Sequence, residues 1–284
     1  MANLRDLKSR IGTVKNIKQI TNAMKMVAAA KLRKTQEAVV AARPYAKNID
    51  NMLRILLKKN RWNKHPLLTT INPEGKELLI VVTADKGLCG SFNSNIIRFT
   101  NRYLENNPNC DLIFYGKKGY DFYRRKEIYN ILNNHDGLSE ISSFHDIYKL
   151  KQEILDLYYT KKYAKVFVIY NEFHSAIHQE LVHKQILPVV PCEEEVSIID
   201  YIYEPNEDAI IDELGNRYLN VGLWITILES TAAEQGARMT AMDNATTNAE
   251  DLIEDLSLIY NRERQAQITT QIIEVASGAE AINS

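Results

Sequence analysis

Both ends of this sequence are nearly free of the residues that break helices. Gly12 is the only glycine before Gly75, Pro44 is the only proline before Pro66, and no proline follows Pro205. Long terminal helices therefore have little to interrupt them, apart from a possible kink near Arg43-Pro44. Cysteine is scarcer still: Cys89, Cys110 and Cys192 lie far apart without CxxC spacing, which argues against a disulfide framework and against a zinc site. No stretch reaches the ~18 consecutive apolar residues of a membrane span, so direct insertion into lipid is not expected. The opening MANLRDLKSR is polar, unlike a secretory leader. A transit peptide would also be basic, but here the apolar positions continue past residue 50 with no break for cleavage. A soluble protein of a reducing cytoplasm is expected.

What is abundant is charge, sorted by sign. Residues 1–61 carry fifteen basic side chains against Asp6, Glu37 and Asp50, while residues 207–284 carry fourteen acids against Arg217, Arg238, Arg262 and Arg264. The net charge of −1 conceals this split. Leu4, Leu7, Ile11, Val14, Ile17, Ile20, Met24 and Val27 step by three or four, which predicts one apolar stripe on a helix reaching the high fifties. Met239, Met242, Thr246, Ala249, Leu252, Leu256, Ile259 and Ala266 do the same near the other end. A helix of that length must bury its stripe. Stripes flanked by Lys/Arg on one helix and Asp/Glu on the other predict an antiparallel coiled coil, and the many alanines and slipping period predict an irregular one. The second helix outreaches the first, so its end, with Ile268, Ile272, Ile273, Val275, Ala276 and Ala279, needs something around it.

Between the ends the periodicity changes. Glu77–Thr83, Asp111–Tyr115 and Ala164–Tyr170 read as buried strands, with helices at Asn93–Leu104, Gly119–Arg125 and Phe144–Lys161. The alternation predicts a small, mostly parallel sheet covered by helices. A zigzag through His174, His178, Val182 and Ile186 reads as a hairpin. The boundaries expected are 1–61 for the first coiled-coil helix, 62–75 for a linker, 76–192 for the α/β domain, 193–208 for an acidic linking segment and 209–284 for the second coiled-coil helix.

Four features suggest chemistry and read better as structure. Asp85-Lys86-Gly87-Leu88-Cys89-Gly90 sits between strand and helix like a phosphate loop, but it matches neither GxGxxG nor GxxxxGK[ST], so a tight turn is preferred to a nucleotide site. Cys89 has no histidine whose context pairs with it as a nucleophile would require. His174 and His178 could be two metal ligands on a helix, but their strand-like surroundings favour a solvated hairpin. The basic first helix could face nucleic acid, yet its full apolar stripe and acidic counterpart favour an intramolecular partner. No catalytic, cofactor or metal residue is assigned.

Ile20-Thr21-Asn22-Ala23-Met24-Lys25-Met26-Val27-Ala28-Ala29-Ala30-Lys31-Leu32-Arg33, with Arg43-Pro44-Tyr45, resembles the N-terminal signature of the γ-subunit family of rotary F-type ATP synthases. The stretches Ala237–Ala249 and Tyr260–Thr269 resemble its C-terminal signature, and Gly87–Gly90 and Asp200–Pro205 match in order and spacing. The resemblance implies α/β architecture plus long helices: an antiparallel two-helix axle and a central Rossmann-like foot. It implies a non-catalytic central stalk carrying torque between a membrane ring of c subunits and the catalytic β subunits. The α, β and ε subunits would be its partners, at the cytoplasmic face of a bacterial membrane. By resemblance Met24, Lys25, Arg238, Arg264, Gln265 and Thr269 would meet the β subunits. Tyr201, Tyr203 and Glu204 would face the rotor ring and ε, and Ile272, Ile273, Val275 and Ala276 would turn in an apolar sleeve. Thr270-Gln271 departs from the family's Gln-Glu, which puts a charged contact there in doubt. No pair of close cysteines provides the chloroplast thiol switch.

Overall fold

The computed structural model describes residues 4–58, 66–126, 128–137, 144–189 and 207–283. The chain runs through α1 (Leu4–Lys58), β1 (Lys76–Val82), α2 (Phe92–Asn106), β2 (Cys110–Tyr115), α3 (Lys117–Tyr123), β3 (Asn130–His135), α4 (Phe144–Tyr159), β4 (Tyr163–Phe173), β5 (Gln179–Leu187) and α5 (Glu207–Asn283). It divides into two compact units, one of Met1–Val27 with Met239–Ser284 and one of Ala28–Arg238. The expected long helices are present, 55 residues in α1 and 77 in α5. The α1 helix passes through Pro44, whose missing N–H removes one backbone bond.

In the unit Ala28–Arg238 a mixed sheet has the order β3-β2-β1-β4-β5. The first four strands are parallel, and β5 returns antiparallel to β4. Helices cover both faces, which is why β1 and β2 are continuous apolar runs without polar alternation. Leu78, Ile80 and Val82 point to one face. There they share a core with Ile147, Leu150, Ile154 and Tyr158 of α4, and with Leu219, Leu223 and Ile227 of α5. On the other face Phe114 stacks on Tyr123 at 5.3 Å, and α2 buries Phe92, Ile96, Thr100 and Leu104. Each large aliphatic side chain buried in this way contributes roughly 1.5–3 kcal/mol.

Two details differ from the sequence reading. β3 (NILNNH) has only two apolar residues and pairs with β2 alone, so an edge strand is present where periodicity shows none. In the β4–β5 hairpin, His174 and His178 lie in the connecting turn, not on the strands. Their rings are 5.3 Å apart, and His174 Nε2 is 3.2 Å from Glu180.

The crossover from β2 to α3 depends on Gly116. Its φ is +103°, and a Cβ there would fall 1.8 Å from the Thr83 carbonyl oxygen. Thr83 in turn accepts the Gly119 N–H on its hydroxyl at 2.9 Å, which starts α3 against the end of β1. Gly116→Ala meets both a disfavoured φ and a backbone clash. It should destabilise this unit by at least ~2 kcal/mol, read as a fall in the urea midpoint at unchanged slope.

Candidate functional site

In the unit of Met1–Val27 and Met239–Ser284, α1 and α5 pair antiparallel. Lys18 reaches Glu250 at 2.9 Å, Thr21 meets Thr246 at 2.8 Å and Lys25 meets Asp243 at 2.6 Å, so numbers rising along α1 meet numbers falling along α5. On α1 Leu7 and Thr21 are buried and Leu4, Ile11, Val14, Lys18, Met24 and Lys25 partly buried. On α5 they include Met242, Thr246, Ala249, Ile253, Leu256 and Tyr260. Both sets step by alternating threes and fours, the seam of a left-handed coiled coil.

The seam is not the stripe that periodicity predicts. Ile17, Ile20 and Val27 of α1 are exposed, Ile20 at 60%, and so are Leu252 and Ile259 of α5. Three successive seam positions of α1 are polar instead, Lys18, Thr21 and Lys25. Each displaced residue stands one position before a seam residue: Ile17 before Lys18, Ile20 before Thr21, Leu252 before Ile253, Ile259 before Tyr260. One step back turns a helix through about 100° in a fixed sense. In antiparallel helices that brings both sets to the same flank. One flank of the pair therefore carries the exposed apolar side chains Ile17, Ile20, Val27, Leu252 and Ile259 and the half-buried Met24, with Arg10 and Asp255 among them. The other carries Lys8, Lys15, Asp243 and Glu250.

Beyond Glu263 the described residues of α5 are exposed on every side. Arg264, Gln265 and Thr269 lie there, the Thr269 hydroxyl donating to the Gln265 carbonyl at 2.9 Å. Ile272, Ile273, Val275 and Ala276 are exposed as well, Val275 at 73%. The solitary apolar end expected from the sequence is thus present. Tyr201, Tyr203 and Glu204 lie outside the described residues.

The other unit places Arg238 inside. The residue is 8% exposed and ion-paired to the fully buried Glu234. Its second nitrogen faces the carbonyl oxygens of Lys86 and Gly87 at 3.4 and 3.2 Å. The Lys86–Gly90 loop therefore turns acceptors toward a cation, the opposite of a phosphate cradle, which presents N–H donors. Burial pushes the Cys89 thiol pKa up despite the nearby Arg238 charge, so its thiolate form is suppressed. Arg43 of α1 donates to the buried Glu229 at 3.1 Å. Burial nevertheless holds that carboxyl above its ordinary pKa, the Arg43 guanidinium offsetting only part of the cost and Glu172 adding to it. Sequence reasoning missed Glu229 and Glu234, because an acid on an acidic helix looks like any other. Among the described residues no group of three or more His, Cys, Asp and Glu could hold a metal, and no helix is long and apolar enough to cross a membrane.

With that geometry in hand, likeness to known proteins is informative. The ATP synthase family pattern matches residues 3–282. The chain is 42% identical over 290 residues to the ATP synthase gamma chain of Prosthecochloris aestuarii, covering 99% of each chain. It is 43% identical over 289 residues to that of Geobacter sp. strain M21, again over 99% of each. Among solved structures it is similar to the central stalk and c-ring structure of the Tetrahymena thermophila mitochondrial ATP synthase, at 26% identity and TM-score 0.64, over 80% of this chain and 99% of that one. The Euglena gracilis mitochondrial ATP synthase in rotational state 3 shares the fold at 19% identity and TM-score 0.69, over 98% and 94%.

Two measurements check the electrostatics and the seam. A carboxyl whose pKa is higher folded than unfolded binds its proton more tightly when folded, so Glu229 contributes less stability as pH rises from about 4.5 through its folded value. Glu229→Gln should gain stability relative to wild type between about pH 4 and pH 7, by urea midpoints, and a loss over that window would contradict the assignment. In the seam, Thr21→Val and Thr246→Val should each cost about 1 kcal/mol, and the double variant clearly less than their sum, because either single substitution already removes the one hydrogen bond the two hydroxyls share.

Proposed function

The chain belongs to the ATP synthase gamma-chain family, and we propose from that premise that its antiparallel helix pair turns as a shaft within the ring of α and β subunits. The gamma chain is a central-stalk subunit, which transmits torque between the membrane rotor and the catalytic subunits and is not itself catalytic. One observation carries the reading: the end of α5 leaves its partner helix behind and exposes Ile272, Ile273 and Val275. An apolar tip of that kind is a liability in water and an asset in a close-fitting apolar sleeve.

A shaft couples rotation to chemistry only if it looks different from different sides. The apolar flank of Ile17, Ile20, Val27, Leu252 and Ile259 and the charged flank opposite supply that difference. Three chemically identical catalytic sites then meet unlike surfaces at any one orientation, and each site's conformation is biased by the differential contact it receives. An energy difference of ~1.4 kcal/mol per contact shifts a conformational equilibrium tenfold, so no catalytic group is needed on the shaft.

Met24, Lys25, Arg264, Gln265 and Thr269 are the positions proposed to meet the β subunits directly, and Arg238 contributes from within. Ile272, Ile273, Val275 and Ala276 would occupy the sleeve. Tyr201, Tyr203 and Glu204 are proposed to face the c-ring and ε from the foot at residues 76–192 with the adjoining segment 193–208; residues 1–61 and 209–284 supply the shaft and 62–75 the link. The complex would sit at the cytoplasmic face of a bacterial membrane, the gamma chain being a peripheral part of it.

The purified chain should turn over no nucleotide without α and β. In the assembled complex, a crosslink from a cysteine at position 24 or 265 to a β subunit should abolish multisite ATP hydrolysis and restore it on reduction. Undiminished turnover in the crosslinked complex would make the chain a static scaffold.

A further inference from the structure

The Arg238 guanidinium is committed inside the chain. Beneath it Glu234 is fully buried, with one carboxylate oxygen paired to the guanidinium and the other, Oε2, without a hydrogen-bond partner among the described residues. Such a pair is costly to bury and worse to break, since removing either charge strands the other. A structural role for the pair alone would need no further contact, yet the free side of the guanidinium is spent on the carbonyls of Lys86 and Gly87, the two residues that lead into Leu88.

Leu88 has φ of +62° and is 63% exposed. A side chain with a Cβ in that region costs roughly 1–2 kcal/mol and persists only where its surroundings hold it. The restraints bracket the tip. Arg238 grips the two carbonyls before it. After it the Cys89 sulfur accepts from Asn93 Nδ2 at 3.3 Å, and the Cys89 carbonyl accepts from the Phe92 N–H at 3.2 Å. The Cys89 side chain is 2% exposed and points inward, so at the tip of the loop it is the apolar Leu88 that is turned out, with the exposed Lys86 two residues before it.

We propose that Arg238 is a positioning residue: seated on Glu234, it clamps the Lys86–Gly90 loop so that the apolar Leu88, and not the guanidinium charge, is what this part of the chain presents to a β subunit. The inference rests on the shaft reading above, and it identifies the chemistry of one contact as apolar. A surface ion pair weakens as salt is added, whereas an apolar contact held by a buried clamp does not. Lysine at 238 would keep the charge but lose the fork that serves a carboxylate and two carbonyls together.

The test uses the assembled α, β and γ complex with Arg238→Lys, Leu88→Ala and the double variant, at low and high salt. Each single substitution should lower multisite ATP turnover about tenfold. The double should be no slower than the slower single, and the factors should be the same at both salt concentrations. Hydrogen exchange of the residue 86–90 amides in the same complexes should rise in Arg238→Lys and stay at the wild-type level in Leu88→Ala. Should Arg238→Lys fail to assemble, Glu234→Gln, which loosens the same clamp, should raise that exchange too. Wild-type exchange in Arg238→Lys, multiplying rate factors, or a turnover defect that appears only with salt would each overturn the clamp. The exchange measurement does not depend on rotation, so it separates failure of the clamp from failure of the shaft.

Discussion

Everything in this structure depends on one requirement, that a helix too long to be covered by a compact core must find a second helix of matching length and frame. Neither α1 nor α5 can satisfy it alone. Propensity supplies only tenths of a kcal/mol per residue, so in water their stability comes from the surface each hides on the other. The antiparallel sense of the pairing is fixed by its cross-helix contacts, Lys18 with Glu250, Thr21 with Thr246 and Lys25 with Asp243. Where the pairing stops, beyond Glu263, the requirement goes unmet within the chain and passes to whatever surrounds the apolar tip.

The seam shows how that requirement overrides local hydrophobicity. If burial of apolar surface decided each layer separately, Ile17, Ile20 and Val27 would turn inward and Lys18, Thr21 and Lys25 outward. The frame set by Leu4, Leu7, Ile11 and Val14 on α1, and by Ala249, Ile253 and Leu256 on α5, does not permit it, because a change of frame would cost every neighbouring layer. The polar layers are made tolerable by partners. Two lysines find carboxylates across the seam, and two buried hydroxyls share a hydrogen bond. The exposed ion pairs contribute only about 0.2–1 kcal/mol each. Their larger effect is on register, since a slip of one turn would leave threonine against an apolar residue and lysine without its acid.

That is also where legibility in the sequence ends. Long helices were readable from the scarcity of Gly and Pro, and the sheet's central strands from their β-branched runs, because both signals are local and strong. The charge split predicted the pairing of the ends, and Lys18–Glu250 and Lys25–Asp243 show it acting along one edge of the seam. The frame itself was misread from Ile17 onward, because an apolar residue one position away from the seam has nearly the right period and only the partner helix decides between the two. Strand β3 was invisible for a different reason: an edge strand with one neighbour needs few apolar residues. Arg238 is the sharpest case. A lone arginine on an acidic helix reads as a surface charge, and nothing local reveals that Glu234, one turn earlier, is fully buried and draws it inward.

On the proposed shaft reading, the misread frame is the functional part. A coiled coil whose apolar residues all lay in the seam would present polar surface on every side, and the three catalytic sites would meet no apolar flank that sets one orientation apart. Displacing Ile17, Ile20 and Val27 by one residue, and Leu252 and Ile259 likewise, moves apolar area from the seam to one flank, where it is exposed in the lone chain. Stability within the pair is given up for asymmetry outside it. The stability lost is limited by the Lys–acid and Thr–Thr layers, while the asymmetry gained is what differential contact with the catalytic subunits requires. On this argument the weak seam and the uneven surface are one feature, because the same one-residue displacement of the apolar side chains produces both.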